Sequence, residues 1–299
     1  CRNGGCGVCK AKILHGEVRL NPYQDAVLTA MERAEGKTLL CCAEPLGDIE
    51  VEYVPQLDAK RLPVQLHVAQ VSRMELLSED VMRVCLVSPG QESLLFHAGQ
   101  YINIVLDNGE KRSFSFATAP HAASEIELHV RLVPGGRFTT AVFETMKVGD
   151  TVRFEGPLGT FTLREDSGKP IVFVAGSTGF APVKSMVESA FHHALERQMI
   201  LYLGVRRRQD LYLGDLAQQW ADEHANFKFV PVLSAPEPDD AWTGRTGLVH
   251  EAILADFPDL SQHQVYACGS VQMVQAAQPA FVKHGISTDD CFSDAFHLA

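Results

Sequence analysis

The sequence predicts a multidomain protein with three modules in tandem: a short Cys- and Gly-rich N-terminal part, an antiparallel β-barrel, and a doubly wound α/β domain. Three observations carry this reading. Five of the eight cysteines fall within the first forty-two residues. From Val64 to about Gly159 the chain runs as short alternating or β-branched segments. From Lys169 onward, apolar runs alternate with segments of helical spacing. At 299 residues the chain exceeds one ordinary core, and the expected limits are 1–55, 63–165 and 166–299.

Each module reads from its own pattern. The first ends in the alternating run "GDIEVEYVP", and "PQLDAKRLP", polar with a Pro at each end, reads as a linker. The barrel strands are "VQLHVAQVSRM", "VMRVCLVS", "QYINIVL", "SFSFATA", "EIELHVRLV" and "DTVRFEG". "DNGE" at Asp107–Glu110 is a hairpin turn, since Asn-Gly tolerates positive φ. In the last module "PIVFVAG", "MILYLGV", "FKFVPVLS" and "QVYACG" are strands, each followed by a helical segment. Such a sheet binds ligands beyond the carboxyl ends of its strands.

Composition excludes some partners. A net charge of −11 argues against nucleic acid, which requires basic surface. No apolar run approaches the ~20 residues that span a bilayer, so no membrane association is expected. No signal peptide is visible, and a cytoplasmic location is expected. The cysteine cluster reads as a metal site, because a disulfide scaffold would be short and secreted. Cys85 and Cys291 read as buried thiols.

Cys1, Cys6 and Cys9 have the Cys-x4-Cys-x2-Cys spacing of a plant-type two-iron loop, which needs a distant fourth cysteine. Gly4, Gly5 and Gly7 let the backbone wrap closely and aim N–H groups at sulfur. "LLCCAEP" offers Cys41 and Cys42, and adjacent side chains cannot both face one cluster. A zinc site fits less well, since the second half is a Cys-Cys dipeptide, and a lipidated Cys1 leaves Cys6 and Cys9 unexplained.

The other chemistry-bearing stretches lie at strand ends. "RSFSFAT" covers Arg112, Ser113, Phe114 and Ser115, and plain barrel packing is its bland reading. "VRLVPGGRFTT" runs through Val130 and Arg131 to a Gly135–Gly136 turn, then Arg137, Phe138 and Thr139 at the start of a helix whose free amides suit a pyrophosphate. "AGSTGFAP" places Gly176, Ser177, Thr178, Gly179 and Pro182 between a strand and a helix; the Gly-x-Gly-x-x-Gly fingerprint is absent. Arg206, Arg207 and Arg208 follow the next strand, either to hold a 2′-phosphate or as a solvated turn. Cys268 and Gly269 end the last core strand, where a simply buried thiol is the alternative. Asp294 and Phe296 lie in "CFSDAFHLA", otherwise a terminal strand with an aromatic anchor.

These stretches together resemble the ferredoxin-fused NAD(P)H:flavin oxidoreductases of the ferredoxin–NADP reductase superfamily. "RSFSFAT" is similar to its Arg-x-Tyr-Ser-x-x-Ser/Thr signature, with Phe114 in the Tyr position. "AGSTGFAP" is similar to its Gly-Gly-Thr-Gly-Ile-Ala-Pro loop, with Ser177 for a Gly and Phe180 for Ile. "CGS" is similar to Cys-Gly-Pro, and "LLCCAEPLGD" aligned on Leu-x-Cys-Gln puts the fourth ligand on Cys41. The resemblance covers essentially the whole chain. It implies a partial β-grasp [2Fe–2S] ferredoxin domain, an FAD-binding barrel and an NAD-binding α/β domain.

The resemblance also implies roles. Cys1, Cys6, Cys9 and Cys41 hold the cluster. Arg112 binds the FAD pyrophosphate, Phe114 packs on the flavin, and Ser115 hydrogen-bonds near N5. Ser115, Cys268, Asp294 and Phe296 are the expected catalytic set. NADH is the expected donor, with NADPH the alternative. The hydride pair is split and passed singly through the cluster to a partner, an oxygenase component or a PMP-dependent dehydratase. Wording such as "CRNGGCGVCK" and "FSDAF" is nearest the glucoseen-reductase-like group. The competing readings are a free-flavin reductase with a vestigial iron–sulfur domain and a non-catalytic redox sensor. Because Cys1 is the first residue, the N-terminal module reads as truncated, with poor cluster retention expected.

Overall fold

The computed structural model describes residues 4, 9–23, 27–52, 62–90 and 94–296. Cys1, Cys6 and most of the expected linker lie outside the described residues.

The N-terminal module is two small sheets and a short helix. β1 (Lys10–His15), β2 (Val18–Leu20), α1 (Ala30–Ala34), β3 (Lys37–Leu39), β4 (Ala43–Pro45) and β5 (Glu50–Glu52) follow in order. β1 pairs antiparallel with β3 and β5, and β2 with β4. α1 starts in a capping box: Thr29 Oγ1 accepts from Glu32 N–H, and Glu32 reaches back to Thr29 N–H. Leu28, Leu39 and Cys42 form its small buried core.

The middle module is an antiparallel barrel of β6 (Gln65–Ser78), β7 (Val81–Val87), β8 (Tyr101–Val105), β9 (Lys111–Ser115), β10 (Ile126–Arg131) and β11 (Thr151–Leu158), with α2 (Arg137–Glu144) between the last two. The order is β10-β7-β6-β11-β8-β9, and a bridge between Phe116 and Leu128 closes the ring. Period-two alternation sends Ile102, Ile104, Phe116, Leu128, Val130 and Phe154 inward, where they are at most 2 % exposed. The β8–β9 turn is the expected one, with Gly109 supplying the positive φ of +84°.

The last module is a parallel sheet in the order β15-β14-β13-β12-β16-β17, formed by β12 (Ile171–Gly176), β13 (Met199–Val205), β14 (Phe227–Leu233), β15 (Arg245–Thr246), β16 (Gln264–Ser270) and β17 (Cys291–Phe296). The helices are α3 (Phe180–His192), α4 (Gly214–Glu223), α5 (Val249–Asp256) and α6 (Val271–Lys283). β12 buries both faces: Phe173 and Ala175 meet α3 and α4, while Val172 and Val174 meet α5 and α6. The chain reverses winding at β12, so the crevice opens beyond the ends of β12 and β16.

Two sets of bonds fix barrel to sheet. From α3, Lys184 Nζ donates to Ala117 O at 3.2 Å and Ser185 Oγ to Thr118 O at 2.7 Å. Arg197 donates to the carbonyls of Arg164 and Lys169 and to Gln264 Oε1, all within 2.6–2.7 Å, and so pins the chain leaving the barrel. All three side chains are buried, where each such bond costs more to lose than it does at the surface.

Candidate functional site

One cleft of about 920 Å³ runs between barrel and sheet. β9 presents Arg112, Ser113, Phe114 and Ser115 to it, and Arg131 and Thr139 stand at the same end. Gly176, Ser177 and Thr178 form the opposite wall, with Arg206 farther along and Asp294 and Phe296 from β17 beside them. The barrel motif, the strand-to-helix turn and the C-terminal strand, distant in sequence, therefore share one hollow.

On the barrel side a polar network sets the wall. Ser113 Oγ donates to Asn103 Oδ1 at 2.7 Å, and Asn103 Nδ2 donates to Glu155 Oε1 at 2.9 Å. Lys111 Nζ pairs with Glu155 at 2.7 Å. Arg112 pairs with Glu110 at 2.9 Å and stays part-exposed at the cleft, a guanidinium with donors to turn toward an anion. The Phe114 ring stands between the cleft and Phe138, ring centres 5.2 Å apart. Thr139 Oγ1 accepts from Val133 N–H at 3.1 Å and locks the loop ahead of α2, where Gly135 holds φ at +77°.

On the sheet side the two strand ends press together. A Cβ on Gly179 would lie 2.1 Å from Cys268 O, and Gly269 approaches Gly176 within 3.1 Å of where a Cβ would stand. Glycine here serves the packing of β12 against β16. Ser177 sits at φ +48°, the left-handed region, where the resembling loop carries Gly. Pro182 is buried in the first turn of α3.

Several expected residues stand behind the wall or beside it. Val130 is fully buried in the barrel core, and Gly135, Gly136, Arg137 and Phe138 build the turn into α2 without lining the cleft. Cys268 is fully buried under the cleft floor, and burial pushes its thiol well above the ordinary range. Asp294 is half-buried in the wall, and burial pushes its carboxyl up to about 6.

Sequence reasoning missed Tyr101, Asn103, Lys111 and His129 on the barrel side, and Asp210, Ser234, His250 and Met273 on the other. Hairpin register alone would have found Asn103, which lies opposite Ser113. Of the three arginines, only Arg206 reaches the cleft. Arg207 is engaged by Glu237 at 2.9 Å, Asp239 at 2.6 Å and Asp240 at 3.4 Å, and Arg208 Nη1 donates to Asp240 O at 3.2 Å.

At the other end of the chain, Cys41 N–H donates to Cys9 Sγ at 3.4 Å, and the Cys41 and Cys42 sulfurs are 3.6 Å apart. Cys42 is turned into the core with Leu28 and Leu39. Part-exposed Cys9 and Cys41, with an amide aimed at sulfur, form the donor chemistry that a [2Fe–2S] cluster takes. The long cleft, with basic side chains and two strand-to-helix turns beside it, suits FAD and a nicotinamide dinucleotide.

The chain matches three family models: "2Fe-2S iron-sulfur cluster binding domain" at residues 1–46, "Oxidoreductase FAD-binding domain" at 68–163 and "Oxidoreductase NAD-binding domain" at 173–279. It is 43% identical over 298 residues to the CDP-6-deoxy-L-threo-D-glycero-4-hexulose-3-dehydrase reductase of Yersinia pestis, covering 99% of this chain and 88% of that protein. It is 34% identical over 305 residues to the phenol 2-monooxygenase reductase component DmpP of Pseudomonas sp. strain CF600, covering 100% of this chain and 85% of the other. Among solved structures, the Amycolatopsis cytochrome P450 reductase GcoB superposes with a TM-score of 0.80 at 35% identity, covering 99% of this chain and 89% of that one. The chain is thus an oxidoreductase that carries electrons from NAD(P)H through FAD and a [2Fe–2S] cluster to a partner protein, and it belongs to the ferredoxin-fused reductases of the ferredoxin–NADP reductase superfamily.

Proposed function

We propose that the electrons go to a sugar-nucleotide dehydrase of the PMP-dependent type, with an oxygenase component as the second choice. The observation that carries this is the 43% identity to a hexulose-dehydrase reductase, against 39% to an aromatic O-demethylase reductase subunit of Amycolatopsis and 34% to a phenol 2-monooxygenase reductase component, each over essentially the whole chain. The test is an anaerobic assay of the reconstituted chain with such a dehydrase and its CDP-hexulose substrate, and separately with an oxygenase component. NADH oxidation tied to deoxy-sugar formation supports the reading. Coupling to the oxygenase alone transfers the assignment there.

The domain limits that support this reading are 1–55, 63–165 and 166–299, since each of the three matched stretches falls inside one of them. Within them Arg112 holds the FAD pyrophosphate with the amides at the start of α2, Phe114 and Ser115 face the flavin ring, and Gly176–Gly179 take the nicotinamide dinucleotide. Asp294 and Phe296 close the site from β17. Cys1, Cys6, Cys9 and Cys41 are the cluster ligands.

NADH is the preferred donor in this reading. A 2′-phosphate would meet Arg206 alone, because three carboxylates already hold Arg207, and Asp210 stands in the same wall. No disulfide joins the six described cysteines, and among the described residues no helix is long and apolar enough to cross a membrane. The unpaired cysteines suit work in a reducing compartment such as the cytoplasm, where NADH is supplied.

A further inference from the structure

We propose that His129 and Tyr212 are a positioning pair that ties β10 of the barrel to the Gly176–Gly179 turn of the sheet. The proposal rests on the reading that the nicotinamide enters the cleft beside Ser177.

His129 lies on β10 immediately before Val130 and Arg131, with its side chain fully buried. Its Nε2 is 2.8 Å from Glu127 Oε1. Glu127 also takes Arg83 Nε at 3.1 Å and Lys184 Nζ at 3.4 Å. These partners outweigh burial and hold its carboxyl well below the usual range. A carboxylate only accepts, so the imidazole proton sits on Nε2. Burial lowers the imidazole's own proton affinity, leaving the ring neutral and Nδ1 a bare acceptor.

The group facing Nδ1 comes from the other module. Tyr212 Oη is 3.3 Å from His129 Nδ1 and 3.3 Å from Ser177 O. Tyr212 is 3 % exposed, and burial pushes its phenol well above the ordinary value, so it stays a donor at every working pH. One hydroxyl proton thus serves two acceptors, one on β10 and one on the strained turn at φ +48°. Phe180 packs beside both rings, at 6.4 Å from His129 and 6.0 Å from Tyr212. The docking bonds of Lys184 and Ser185 to the barrel carbonyls do not involve this hydroxyl. It sets where Ser177 stands relative to β10, in addition to the docking those bonds provide.

The experiment uses the full chain with FAD bound. Tyr212→Phe removes one oxygen and keeps the ring. It is expected to leave FAD content near wild type, to lower Tm by a few degrees because buried His129 Nδ1 loses its donor, and to raise KM for NADH about tenfold. It is also expected to enlarge the primary isotope effect on kcat/KM with 4-deuterated NADH. Ser185→Ala cuts a docking bond outside the pair and is expected to lower Tm with KM unchanged. His129→Asn, which keeps an acceptor near the place of Nδ1, is expected to recover most of the NADH affinity that His129→Leu loses. A Tyr212→Phe protein with wild-type KM and isotope effect overturns the proposal, whatever its Tm. So does a Ser185→Ala protein whose KM rises as far. If wild-type protein shows no NADH-dependent flavin bleaching, the reading of the cleft falls and this proposal with it.

Discussion

Asp294 lies directly opposite Cys268 in the parallel register of β17 and β16, an acid over a thiol that has no contact with water. Burial holds the Asp294 carboxyl at about 6, above the ordinary value near 4. An acid raised in this way subtracts stability as pH climbs. Below about 4 it is protonated folded and unfolded alike. Between about 4 and 6 the unfolded chain gives up the proton first, and above 6 the full penalty stands. Asp294→Asn should therefore raise stability at pH 8 by the order of 2 kcal/mol and change it little at pH 4.5. Melting curves at the two pH values check this, and a larger gain at pH 4.5 contradicts it.

Ala194 follows the end of α3 with φ +51°. Its N–H bonds Phe191 O at 3.0 Å, and Leu195 N–H bonds Ala190 O at 2.9 Å, the paired bonds of a Schellman end. Glycine fits that left-handed position without a Cβ clash. Ala194→Gly should add about 0.5–1 kcal/mol, the relief of backbone strain less the entropy of a freer unfolded chain. A fall in the urea midpoint of the α/β module would count against this account of the helix end.

Cys41 and Cys42 should behave oppositely. Cys41 is part-exposed beside Cys9, while the Cys42 sulfur packs with Leu28 and Leu39 and sits 2.9 Å from where a Cβ on Gly4 would stand. After anaerobic reconstitution, Cys41→Ser should lose bound iron, labile sulfide and the visible dichroism of the cluster. Cys42→Ser should keep all three while melting a few degrees lower. Equal loss in both variants would remove the distinction.

The acidic loop at Glu237–Asp240 should decide nucleotide preference. In the wild-type chain kcat/KM is expected to favour NADH. Glu237→Gln with Asp239→Asn removes two of the three carboxylates on Arg207, and the released guanidinium can turn to a 2′-phosphate. The NADPH-to-NADH ratio of kcat/KM should rise about tenfold. An unchanged ratio means that Arg207 lies out of reach of the nucleotide.

The modules were readable because each follows a local period. β12 is apolar on every residue to Ala175, as a strand with helices on both faces must be, and the "DNGE" turn set the β8–β9 hairpin. The motif stretches also marked the places that meet in the cleft, from Arg112 and Ser115 to Ser177 and Phe296. What the sequence hid were partners across long separations. Tyr212 is 83 positions from His129, and Asp239 is 32 from Arg207; no periodicity links such pairs. Burial was hidden likewise: Val130 and Arg131 are neighbours in one motif, yet strand alternation puts the first in the barrel core and the second at the cleft.

Ala117 and Thr118 close the "RSFSFAT" stretch, and their carbonyls are the ones that Lys184 and Ser185 of α3 grip. One heptapeptide therefore lines the cleft and seats the helix that follows the Gly176–Gly179 turn. This constrains how such proteins can be recombined. A reductase that acquired its α/β module from a distant relative would need a matching ledge on the barrel, or donor and acceptor would face each other out of line. Barrel and sheet are in this sense a single unit of inheritance, joined at a seam that includes those two carbonyls.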